Sequence, residues 1–334
     1  MGAGTAEGAG AAHYYFDPVI KCCTYIPELH NFLVGRILTD NDPSAQTGRA
    51  TVQKRIADQI GVTPLGLAQP PVFALLYHRS EQSFGRSRTL RCPHYIEEGG
   101  RCGVWRHRDS TCATWFCKHV RGNLGHAFWQ ESLHRLLSAI ERDLARWCIL
   151  EMHPTDELLE QLAGTAAWTS STEKVTGESL NNMVSPETYA RLWGEWHGRE
   201  TEFFDGCADL VNRLSWADVL AISGPGVQVY ARLTKQAYHR LMSSDLPPAL
   251  KVGSMQLVRI QHGLTRINTY SSYDPLDVPQ VVMEVLPYFD GRPTNAALSS
   301  IEEERGVRLD LDLVRKMADF GLLIPAAPNA KQNP

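Results

Sequence analysis

Apolar residues in this chain fall into short helical stretches separated by polar, proline- and glycine-marked breaks. One stretch is long. Phe128, Leu133, Leu136, Leu137, Ile140, Leu144 and Trp147 recur at three- and four-residue spacing, which predicts a helix over 124–150. Upstream, 27–38 reads as a short helix opened by proline in its first turn and closed by the turn residues Asp40-Asn41-Asp42-Pro43, and 51–60 as a second helix. The apolar run 72–77 is a short strand or buried segment. Further helices are predicted at 154–162, 216–222 and 227–243. Another starts at Ser185, where a capping serine precedes proline and an acidic first turn, and extends to about 214. The polar stretch 163–183 reads as a loop.

After Pro247-Pro248 the period changes. Alternating residues over 258–262 and 265–270 flank Gly263, the signal of a hairpin, and two helices at 295–305 and 310–320 follow. The predicted fold is therefore mainly α. A cysteine-cluster metal-binding domain (14–150) precedes a helical domain (151–248) and a small α+β winged-helix-like module (249–326), with the Gly/Ala-rich residues 1–13 disordered.

Composition narrows the class. An apolar share of 43% over 334 residues is enough for real cores. No apolar run reaches the ~18–20 residues that span a bilayer, and the start lacks the basic-then-apolar order of a signal peptide. A cytoplasmic chain with no membrane partner is expected. The net charge of −4 gives no reason to expect nucleic acid. That charge is unevenly spread, because residues 78–126 hold nine Lys and Arg against four Asp and Glu. The same window is rich in Cys, Gly, His and aromatics and poor in apolar period. Such a segment cannot build an ordinary core, and a metal would supply the missing cross-links.

The cysteines carry the chemistry. Cys92, Cys102, Cys112 and Cys117 follow a C-x9-C-x9-C-x4-C spacing, and Cys22-Cys23 adds a pair from a distant segment. Clustered cysteines in a chain of this size point to metal or catalysis rather than disulfides. Thiolates select zinc or iron–sulfur over hard cations. Cys148 and Cys207 stand apart in helical patterns and read as buried, inert thiols.

The run Cys92-Pro93, Cys102, Val104, Trp105, Arg108, Cys112, Cys117 resembles the YkgJ-type zinc- or iron-chelating cysteine-cluster family, and Cys22-Cys23 matches the end of that family's N-terminal motif. The resemblance covers about residues 16–122. The chain departs from the pattern at Phe16 and Val19, where two further cysteines are usual, at Asp109 in place of proline, and at Ala113 in place of arginine. Flagellin lysine N-methylases are similar to the same family. The resemblance implies an oxygen-sensitive iron–sulfur cluster taking part in methyl transfer, with S-adenosylmethionine as a cofactor by resemblance only.

The expected ligands are Cys22, Cys23, Cys92, Cys102, Cys112 and Cys117. A [4Fe-4S] cluster is preferred over zinc because the run holds no C-x2-C knuckle. Adjacent cysteines seldom bind one metal, so a surplus thiol at Cys22 or Cys23, beside Lys21, is the candidate catalytic relay. Arg108 and His119 are the candidate cofactor-binding residues. Arg106, Lys118 and Arg121 are alternative anion contacts, and His94, His107 and His126 alternative ligands. Trp105, Trp115, Phe116, Phe128 and Trp129 are expected to pack around the site; Tyr25 and Asn31 would orient ligands or serve as satisfied polar groups. The Ser223-Gly-Pro-Gly226 run reads as a helix–helix turn rather than a nucleotide loop. The expected function is redox or methyl-transfer chemistry on a protein or peptide side chain at a metal cluster. The alternative is a zinc-stabilised binding protein without catalysis.

Overall fold

The computed structural model describes residues 17, 19–79, 84–152, 158 and 186–326. The expected disordered start, the loop at 163–183 and all but Leu158 of the helix at 154–162 lie outside the described residues. The described chain is mainly helical with small antiparallel sheets. It forms two compact units. Residues up to Ala113 and Leu137–Val227 make the first; Thr114–Leu136 and the chain from Gln228 onward make the second. None of the described helices is long and apolar enough to cross a membrane.

In the first unit, helices Asn31–Thr39 and Glu200–Asn212 pack closely where Gly35 meets the backbone of Phe204. Gly35 makes this possible: a Cβ there would lie 2.0 Å from the carbonyl oxygen of Phe204. Phe32, Val34 and Ile37 on one helix and Phe203, Phe204 and Cys207 on the other build the core, with Cys148, Ile149, Tyr189 and Trp193 around them. Cys148 and Cys207 are fully buried in it, as their helical context predicts. Asn31 is the polar centre of this core. Its side-chain amide donates to the carbonyls of Pro64 (3.0 Å) and Ala145 (2.9 Å), and its Oδ1 accepts from the Phe32 N–H. Of its two expected roles, it fills that of a satisfied polar group.

Several local expectations change. Leu29–His30 is a strand paired antiparallel to Gly66–Leu67, so the helix begins at Asn31 rather than 27. The run 72–77, expected as a short strand or buried segment, lies in the helix Pro71–Arg79, with Phe73 buried and Leu75 and Leu76 exposed. The predicted long helix over 124–150 is divided into Gly122–His126, a π-helical segment Ala127–Leu133, and His134–Glu151. A π segment adds residues to its turns without erasing the apolar recurrence, so the pattern does not reveal it. The helix expected from Ser185 to 214 is Pro186–Trp193 and Glu200–Asn212, with a 3-10 turn at Gly194–Trp196. Trp216–Met242 is kinked at Gly224 (φ 71°, ψ −168°), which is the turn expected at the Ser-Gly-Pro-Gly run.

In the second unit, two three-stranded antiparallel sheets carry the C-terminal half. Gln256–Gln261, Leu264–Asn268 and Leu276–Pro279 pair in sequence order, with the expected hairpin turning at Gly263. Asp290–Pro293 and Leu323–Pro325 flank Ala249–Val252. Helices Thr294–Arg305 and Leu311–Asp319 close on these strands through Ile301, Val314 and Leu323.

Gly35→Ala forces the two central helices of the first unit apart. It is expected to destabilise by about 1–3 kcal/mol or more, the cost of overpacking a dense core. Thermal denaturation measures it; an unchanged midpoint would contradict the close approach.

Candidate metal and substrate site

Five of the six expected ligands belong to the first unit: Cys22, Cys23, Cys92, Cys102 and Cys112. Short-range backbone pairing brings their segments together. The turn containing Lys21 (φ 52°) presents the Cys23 carbonyl to the Cys92 N–H at 2.8 Å. Tyr95 hydroxyl donates to the Val19 carbonyl from the other side. Tyr95–Ile96 pairs with Arg101–Cys102 across a tight turn, placing Tyr95 opposite Cys102. The Gly103 N–H then donates to the His94 carbonyl at 2.7 Å. Helix Gln46–Ala57 backs this hairpin so closely that a Cβ on Gly48 would lie 2.1 Å from the Gly103 oxygen.

Cys112 arrives from a different direction. It sits in the short helix Ser110–Thr114, whose first turn is held by Asp109. This buried carboxylate accepts from the Cys112 N–H at 3.0 Å and the Thr111 N–H at 3.2 Å. The Cys112 thiol also hydrogen-bonds to it, and burial together with the Asp109 charge pushes that thiol strongly up. Burial raises Cys92 to about 12 and lifts Cys102 as well; each of the two also repels the other's charge or that of a neighbouring thiol. The backbone at His94 lowers Cys92 and that at Val104 lowers Cys102, against this rise. Cys22 is exposed and its thiol is held below the ordinary value, first by a hydrogen bond from Cys23 and then by Arg108 and Lys21. Cys23 is pushed up correspondingly.

The donor set is soft, which fits a thiolate-bound metal by type. Among the described residues, no three Cys, His, Asp or Glu side chains already stand in a metal-holding arrangement.

The remaining candidates separate by partner. Arg108 lies over the Trp105 ring at 3.6 Å and acts electrostatically on Cys22 and Cys102, so it belongs to the thiol site. Arg106 is bound by Asp40 and Asp42, and His107 by Asp40 at 2.9 Å. His94 is fully buried, with Nδ1 on the Thr51 hydroxyl at 2.7 Å. Cys117 and His119 belong to the second unit. There His119 is buried against Phe116, His126 and Tyr270, and neither ring nitrogen has a hydrogen-bond partner among the described residues. Arg121 pairs with Asp319 through two bonds of 2.8 and 2.7 Å, and Lys118 faces Asp274 at 3.7 Å. Arg106, Lys118 and Arg121 thus hold protein carboxylates rather than standing ready for an outside anion. Phe116, Phe128 and Trp129 pack on one another in the second unit, and Trp115 on Tyr273.

Residues missed from sequence lie next to the thiols. Glu141 accepts from the Ser110 N–H at 3.1 Å, and Ser138 hydroxyl meets Ser110 hydroxyl at 2.8 Å. Burial, with the nearby Asp109 charge, raises the Glu141 carboxyl to about 7 against the Ser110 bonds that lower it. Tyr25, already singled out in the sequence, lies with them and is raised to about 12 by burial and by Asp109 and Glu28. These side chains line a cavity of about 470 Å³.

No protein-family model matches the chain, and no curated protein or solved structure matches it. The family resemblance therefore rests on the motif residues themselves.

A carboxyl raised on folding gives stability that is complete below its unfolded value and is lost as pH rises through its folded value. Glu141 should therefore weaken the fold between about pH 4.5 and about 7, a penalty that Glu141→Gln does not have. The melting temperature of the wild type minus that of the variant should fall across this window and level off above it. A difference independent of pH would contradict the burial of this carboxyl.

Proposed function

We propose that the cysteines of the first unit hold a thiolate-ligated metal centre, an [4Fe-4S] cluster, and that the protein uses it in redox or methyl-transfer chemistry on a protein or peptide side chain. One observation carries this reading. Three of these cysteines come from segments that hydrogen-bond directly to one another: the Cys92 N–H donates to the Cys23 carbonyl at 2.8 Å, and the hairpin that follows Cys92 pairs Tyr95 with Cys102. Metal binding would release the protons that burial now holds on these groups. When bound, such a cluster supplies electron transfer, or an open iron position if one ligand is absent.

The chain's own residues divide the remaining tasks. Cys92, Cys102 and Cys112 are the ligands from the downstream run, with Cys22 or Cys23 from the upstream pair. Cys22 is the exposed member of the pair, beside Lys21 and Arg108, and serves as the thiol relay. Arg108 offsets negative charge at the thiols; His119 remains the cofactor contact of the second unit. S-adenosylmethionine as methyl donor rests on the family resemblance.

The second reading, a zinc-stabilised binding protein, is favoured by a feature of the second unit. The strand Gln256–Gln261 is exposed along its whole length, and Leu257 and Ile260 are 58% and 65% exposed. A winged-helix-like module with such an edge suits a protein partner. Glu302, Glu303, Glu304, Asp310 and Asp312 make it a poor surface for phosphates.

Metal analysis of protein purified without air tests the site. Cys92→Ser, Cys102→Ser and Cys112→Ser should each reduce bound metal, whereas Cys148→Ser and Cys207→Ser should leave metal per folded chain unchanged. Loss of metal should also lower thermal stability, a structural zinc contributing on the order of 10 kcal/mol. Brown protein with broad visible absorption supports the cluster, and colourless zinc-bearing protein supports the second reading. Full metal retention in both Cys102→Ser and Cys112→Ser overturns both.

A further inference from the structure

Helix His134–Glu151 turns one face toward the 470 Å³ cavity of the first unit. Ser138, Glu141, Arg142, Ala145 and Arg146 all line it, the spacing of a single helical face. The volume falls in the range of small-molecule sites, roughly 300–1,000 Å³.

Charge in this cavity is sorted rather than mixed. Asp109, Glu141, Glu28 and Tyr25 form one group: Asp109 acts electrostatically on both Glu141 and Tyr25, and Glu28 acts on Tyr25. Asp109 and Glu141 are joined through the Ser110 turn, since Glu141 accepts from the Ser110 N–H. Arg142 and Arg146 form the other group on successive turns. Arg142 acts on His30, a ring that burial already holds uncharged at neutral pH. Arg142 reaches only its neighbour Asp143, at 3.7 Å, and Arg146 has no carboxylate partner among the described residues. From Glu141 to Arg146 the helix rises about 7.5 Å at 1.5 Å per residue. Leu29, Leu65 and Leu67 supply an apolar wall.

We propose that this cavity binds a small zwitterion of the amino-acid class, with its ammonium group at Asp109 and Glu141, its carboxylate at Arg142 and Arg146, and its aliphatic body along the leucines. A simple anion would meet three carboxylates, and a simple cation would leave the arginines unanswered. Asp109 also holds the Cys112 N–H, so the ammonium end of the ligand sits beside the thiol site. The inference goes beyond the metal reading and stands without it, because none of the groups that recognise the ligand is a thiol.

The test is calorimetric titration of the full chain with 6-aminohexanoate, whose charges stand at opposite ends of an aliphatic chain. Hexylammonium and hexanoate carry one end each. The zwitterion should bind about ten-fold or more tighter than either single-ended analogue, close to 1.4 kcal/mol. Arg142→Gln with Arg146→Gln should remove that advantage while hexylammonium binding is kept. Both arginines are exposed, so the double variant should melt as the wild type does. Equal binding of hexylammonium and 6-aminohexanoate to the wild type overturns the carboxylate end; equal binding of hexanoate overturns the ammonium end. Absence of 6-aminohexanoate binding overturns the whole. Metal content measured in the same samples separates these outcomes from failure of the metal reading, which would leave the titrations unchanged.

Discussion

The buried carboxylate of Asp109 is the constraint on which the site depends. It is 4% exposed and carries no ion pair among the described residues. Its compensation is instead the N–H groups of Thr111 and Cys112 and the Cys112 thiol. A buried carboxylate without such donors would cost several kcal/mol. Satisfying it fixes the short helix that delivers Cys112, and through Ser110 it draws in Ser138 and Glu141 from the long helix. Asp109 is thus the residue that links the helix carrying Cys112 to the neighbouring cavity.

That coupling needs a rigid floor, and close backbone approaches provide it. Gly35 against Phe204 and Gly48 against Gly103 each bring segments together at distances that no side chain permits. Asn31 joins the same region by bonding the Pro64 and Ala145 carbonyls, so the strand pair, the cysteine hairpin's supporting helices and the long helix share one core. Charging one of these thiols raises the cost of charging its neighbour. A cation among the sulfurs would relieve that cost, which is the physical content of the proposed metal centre.

Much of this was legible in the sequence where a local signal suffices. The hairpin around Gly263, the helix Thr294–Arg305 ended by Gly306 at φ 64°, and the break at Gly224 each follow from turn chemistry. The burial of Cys148 and Cys207 follows from helical periodicity. The rest depends on partners far along the chain. The two-residue strand Leu29–His30 exists only because Gly66–Leu67 pairs with it. The run 72–77 is apolar without period, so helix and strand cannot be told apart by pattern. Ser138, Glu141, Arg142 and Arg146 read as the solvated side of an amphipathic helix; the first turn of the Ser110–Thr114 helix, through the Ser110 N–H, meets Glu141, and nothing local announces it. The spacing of Cys112 and Cys117 suggests a shared site, yet the chain passes from one compact unit to the other between them, at Ala113.

X-ray absorption at the metal edge, on full-length protein purified without air, bears most directly on the convergence of these thiols. The account predicts bound iron or zinc whose nearest shell is sulfur at about 2.3 Å. A metal surrounded by oxygen and nitrogen alone, or protein that is folded and metal-free after purification with iron and zinc supplied, would contradict it.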